Sequence, residues 1–105
     1  MIENFIAKEY CLAIEKIFGT SININEVQIQ KTKSDFVGDF TCVVFPQVKL
    51  SKKSPEQTAD LIGNELLNNK SFSGFNVVKG FLNISIKDSI WISNFLSTFQ
   101  YSTVY

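Results

Sequence analysis

Two side chains in the stretch "KGFLNISIKD", residues 79–88, carry the chemistry that this sequence offers most openly. The segment alternates as a strand does, with Leu82, Ile84 and Ile86 on one face and Phe81, Asn83, Ser85 and Lys87 on the other. The aliphatic face predicts the core side, which leaves a phenylalanine beside an asparagine on the side that meets water. Readers of single-stranded nucleic acid combine those two groups. An unpaired base stacks on the ring, and a neighbouring amide offers its edge one donor and one acceptor. Residues i and i+2 of a strand stand about 7 Å apart on one face, close enough to serve one base. Lys79 precedes Phe81 by the same step and is placed to reach a phosphate, as are Lys31 and Lys33 on the neighbouring predicted strand and, further along, Lys52 and Lys53. The competing reading is an interaction or structural module with no nucleic-acid role, in which Phe81 packs under a loop or a partner and Asn83 does nothing.

Other chemistry is limited by what the chain lacks. There is no histidine, which removes the commonest general base, any Ser-His or Cys-His couple and most zinc sites. All ten positive charges are lysines, so no bidentate arginine clamp on phosphate or carboxylate can form. Cys11 and Cys42 lie in apolar stretches without CxxC spacing and read as reduced core residues. No catalytic residue, metal ligand or cofactor site is therefore assigned. Net charge is zero, which argues against strong non-specific nucleic-acid binding. The charge is unevenly distributed, however. Residues 27–53 hold five lysines against Asp35 and Asp39, whereas residues 54–69 hold three acids and no lysine.

The length of 105 residues suits one domain with a single core, and 45% apolar residues exclude disorder. No apolar run approaches the roughly 20 residues of a membrane span. The opening "MIENFIAKEY" lacks a signal-peptide pattern, so a cytoplasmic protein is expected. Residues 2–18 carry a helical apolar stripe that ends at Gly19. A strand is predicted over 26–31. Gly38-Asp39 forms a turn dipeptide, and β-branched and aromatic residues from Phe40 to Phe45 predict a second strand. Ser54, Pro55 and Gln57 make a capping box for a helix to about Asn69, with Ala59, Ile62 and Leu66 inward. Gly63 within it implies a close approach of another element. Strands follow at 74–79 and 81–87, hinged at Gly80, and then a helix from Asp88-Ser89 to about Gln100. The order α-β-β-α-β-β-α predicts a two-layer α+β sandwich, a small, mostly antiparallel sheet with its helices on one face. The opposite face would be open, carrying Phe81 and Asn83.

The amphipathic first helix, "GDF" at 38–40, the lysine-bearing stretch, the "P…A…I" helix and "GFLNISI" follow one another in an order and spacing that resemble the N-terminal additional domain of arginyl-tRNA synthetase. The resemblance covers essentially all 105 residues. It implies a non-catalytic α+β module over 1–88 and a helix over 89–105 leading into an absent class I catalytic domain. That domain would use ATP and magnesium to attach arginine to its tRNA. The implied partners are arginine tRNA, at an unpaired D-loop base held by Phe81 and Asn83, and the parent's own catalytic domain. A monomer with no DNA or membrane partner is expected. Neither an H-x-G-H motif nor a K-M-S-K-S loop is present, and "KLSKKS" at 49–54 is similar to the second only superficially. By resemblance residues 43–50 form a short helix, whereas propensity extends the strand through Phe45.

Overall fold

The computed structural model describes residues 2–88, so the predicted helix at 89–105 and its boundary lie outside the described residues. Helix α1 (Ile2–Phe18) buries Ile6, Tyr10 and Ile14 as the stripe predicts. Gly19 terminates it at φ +68°, its N–H donating to the Glu15 carbonyl at 2.8 Å. A single 3-10 turn over 24–26 comes next, capped by Asn23 and Glu26 in a reciprocal box that the sequence reading passed over. It shortens the first strand, β1, to Gln28–Lys31.

Strand β2 (Phe40–Val43) stops two residues before propensity would end it. From Phe45 the chain forms a 3-10 turn with Pro46 in its first turn and runs into the short helix α2 (Val48–Ser51). The resemblance, and not the local propensity, anticipates this segment. The reason is tertiary: Gln47 is buried and its Oε1 accepts the Tyr10 hydroxyl at 2.6 Å, which ties the turn to α1. Helix α3 (Pro55–Leu66) starts at the predicted capping box, where Gln57 N–H donates to Ser54 Oγ at 3.1 Å. It buries Ala59, Ile62 and Leu66. A Cβ on Gly63 would stand 2.5 Å from the Phe75 ring, so the close approach inferred from this glycine is the seating of a sheet aromatic against α3.

Strands β3 (Phe72–Val78) and β4 (Phe81–Ile86) complete a four-stranded sheet of order β1-β2-β4-β3, with every neighbouring pair antiparallel. Lys79 and Gly80, both at positive φ, make the two-residue turn between them, so Gly80 is a tight corner. The irregularity in the ladder lies instead between Phe72 and Gly74. Helices α1 and α3 cover one face, where they enclose Phe40, Cys42, Leu82, Ile84 and Ile86. The Cys42 thiol is pushed up to about 12 by burial, and burial also raises the Tyr10 phenol and the Cys11 thiol. Neither thiol offers a ready nucleophile at neutral pH. Among the described residues no helix is long and apolar enough to cross a membrane, and no three His, Cys, Asp or Glu side chains gather to hold a metal.

Candidate nucleic-acid interface

The strand register decides which residues share the uncovered face. Asn83 stands opposite Thr41 on β2 and Asn76 on β3, and Thr41 stands opposite Gln30 on β1. One row of polar side chains, Gln30, Thr41, Asn83 and Asn76, thus crosses all four strands. The next row runs Gln28, Val43, Phe81 and Val78. Phe81 and Asn83 therefore occupy the predicted face, but their exposure differs sharply: Phe81 is 37% exposed and Asn83 only 3%.

The loop 32–39 closes over Asn83. Gly38, at φ +132°, lies so near that an added Cβ would be 3.0 Å from Asn83 Cβ. Asp39 locks this arrangement to β4. Its N–H donates to the Ile84 carbonyl at 2.8 Å, and its Oδ2 accepts the Ile86 N–H at 2.7 Å. Gly38-Asp39 is accordingly not the hairpin turn that the dipeptide suggests; it clamps the loop's end onto the central strand. Earlier in the loop, Phe36 N–H donates to the Lys33 carbonyl at 3.0 Å, a tight turn that brings both side chains to the open face.

The result is a concavity of about 210 Å³ against the sheet. Phe81 and Val78 form its apolar wall and Phe36, 44% exposed, contributes a second aromatic. Thr41, Asn83 and Gln30 supply polar groups, and Lys33 and Lys79 supply positive charge with no carboxylate among the lining residues. The Phe81 ring meets Phe45 edge to face, with centroids 6.0 Å apart and planes at 82°. That contact sets the ring plane, and Gly80 behind it packs against Pro55, which an added Cβ would approach to 2.8 Å.

Of the lysines predicted to reach phosphate, the structure brings Lys33 and Lys79 to Phe81 and Asn83. Lys31 is opposite Phe40, so its side chain leaves the sheet on the helix side. Lys52 and Lys53 close the end of α2, where Lys52 N–H donates to the Val48 carbonyl and Lys53 N–H to Ser51 Oγ, and neither lines the pocket. Sequence reasoning missed Phe36, Gln30, Thr41 and Val78. An apolar Phe36-Val37 pair inside an otherwise polar loop was the available signal for the first.

A model of the family described as the arginyl tRNA synthetase N terminal domain matches residues 4–86. The chain belongs to this family. Among its curated relatives, an arginine–tRNA ligase of Parabacteroides distasonis is 46% identical over 93 residues, covering 88% of this chain and 16% of that protein. One from Porphyromonas gingivalis is 49% identical over 81 residues, covering 76% and 14%. The chain thus spans about one sixth of the length of the relatives it matches. The solved structure of Thermus thermophilus arginyl-tRNA synthetase shares the fold, with a TM-score of 0.72 over 90% of this chain and 15% of its own, at 17% identity.

Proposed function

We propose that this arginyl-tRNA synthetase N-terminal domain is the tRNA-docking module of an arginine–tRNA ligase and holds an unpaired D-loop base in the pocket beside Phe81. The parent enzyme would work in the cytoplasm and use ATP and magnesium to attach arginine, chemistry that belongs to its catalytic domain, with the module itself monomeric. The observation that carries this reading is the convergence of an exposed ring, an amide and two lysines on one concavity free of carboxylates. A base stacks on the ring, its edge meets the amide, and the flanking phosphates meet the lysines.

Amide resonances of the protein, titrated with arginine tRNA and with the same tRNA made abasic along the D-loop, test the proposal. Phe81, Leu82 and Asn83 shift with the intact tRNA and lose that response at one abasic position. Equal responses to every tRNA, or none at high concentration, overturn it.

Lys79 supports the same reading through its backbone. It occupies φ +50° at the first position of a two-residue turn, where asparagine or glycine is the favoured residue. A lysine held there has a local cost that its charge can offset in binding. Lys79→Asn should raise stability by up to about 1 kcal/mol. It should also weaken tRNA binding and flatten the slope of log K against log salt by about one unit. Urea melts and a salt series measure both, and an unchanged slope removes Lys79 from the phosphate contacts.

A further inference from the structure

Asn83 has an amide with two chemically opposite ends, and the structure shows why one of them faces the pocket. Its Oδ1 lies 2.6 Å from the Thr41 hydroxyl, which donates to it from the directly opposed position on β2. In this contact Oδ1 accepts the single proton of the threonine, which turns the oxygen end of the amide towards β2. Thr41 is itself 6% exposed, and Thr32 Oγ1 stands 3.0 Å from its hydroxyl on the other side; with the Thr41 proton given to the shorter contact with Asn83, the Thr32 hydroxyl is the donor there and Thr41 accepts. Gly38 crowds the Asn83 Cβ and limits any swing of the side chain. Among the described residues Asn83 makes its side-chain hydrogen bond through Oδ1, and no polar side-chain atom there is sealed from solvent without a partner. The NH2 end lies on the side of the amide away from Thr41, and the open space there is the pocket that Thr41 and Asn83 both line.

We propose that Thr41 is a positioning residue for base selection: its hydroxyl fixes the Asn83 amide with the N–H donors towards the pocket, so that the bound base is chosen for an acceptor at that point. This rests on the base-reading proposal above. Removing the hydroxyl leaves the ring and the lysines in place but frees the amide to present either end, so it erodes discrimination among bases far more than it erodes binding. Valine is the informative replacement, since it keeps the β-branched shape in a buried strand position and puts a methyl group where the hydroxyl stood.

Abasic substitution along the D-loop of an arginine tRNA transcript first locates the contacted nucleotide, and the four bases are then compared at that position. The unaltered protein is expected to separate the best from the worst base by roughly tenfold or more. Thr41→Ser, which retains the hydroxyl, keeps that ratio. Thr41→Val still binds the preferred transcript while the ratio collapses towards unity. In the unaltered protein, the side-chain NH2 resonances of Asn83 shift with the preferred transcript, a readout that stands even if Thr41→Val fails to fold. Discrimination retained in a folded Thr41→Val protein overturns the positioning role alone, as does a static Asn83 NH2 pair when Phe81 responds. If no abasic position matters, base reading falls and this inference falls with it.

Discussion

Phe81→Ala should lower the affinity for arginine tRNA by roughly 5- to 150-fold, the equivalent of one base–aromatic stack at about 1–3 kcal/mol. The ring is the one large apolar group on the exposed sheet row whose plane is already set, by its edge-to-face contact with Phe45. A preset plane matters because a stacking base would meet an ordered surface and little side-chain entropy would be lost on binding. The variant gives up that aromatic contact as well, so a stability loss of about 0.5–1.5 kcal/mol accompanies the binding loss. Phe81→Tyr retains most of the affinity, because stacking needs a π-face and not a particular ring. The defect persists at high salt, in contrast to the lysine variants, whose contribution is screened. In a full-length ligase the Michaelis constant for tRNA rises and arginine activation stays level. An unchanged Michaelis constant for tRNA in the Phe81→Ala ligase sinks the base-stacking assignment.

What could be read from the sequence follows from how far apart the deciding residues lie along the chain. Helices α1 and α3 were legible because a stripe and a capping box are written within a few residues of each other. The parity of β4 was equally local, and it placed Phe81 and Asn83 on the right face. Strand β2 was overextended because Val44 and Phe45 favour extended backbone, while the contact that bends the chain comes from Tyr10, 37 residues from Gln47. Lys31 was misplaced although its own parity was legible, since it falls on the same face as Ile29, the helix side of the sheet. Lys33 lies past the end of the strand and reaches the open face only through the loop. The remaining pocket residues depend on cross-strand register and on the fold-back of the loop 32–39. Thr41 reaches Asn83 across 42 residues, and no periodicity encodes that partnership. The burial of Asn83 was hidden in the same way, since Gly38 and Asp39 read as a turn until their contacts with Asn83, Ile84 and Ile86 are known.

The "GDF" triplet joins pocket and core, and its phenylalanine bears the larger energetic weight. Phe40 is 2% exposed on a central strand, opposite Ile84 of β4 and among the largest fully enclosed side chains. Phe40→Ala should cost about 3–5 kcal/mol, since the transfer energy of the ring is lost and the surrounding helices and sheet can only partly collapse into the space. Small domains sit near the low end of the usual 5–15 kcal/mol, so this change leaves a substantial fraction unfolded at 25 °C. Chemical denaturation reads the loss directly, and a cost below about 1.5 kcal/mol would mean that the site repacks and Phe40 is no anchor. Phe40→Leu, which fills most of the volume, should recover more than half of the stability. The binding consequence separates core from site: in either variant, tRNA affinity corrected for the folded fraction stays close to that of the unaltered protein, because Phe40 faces the helices and never enters the pocket. A larger corrected loss would instead show that β2 had shifted, carrying Asp39 off the Ile86 N–H and lifting Gly38 from Asn83, so that the core residue of the triplet also sets the height of the pocket floor.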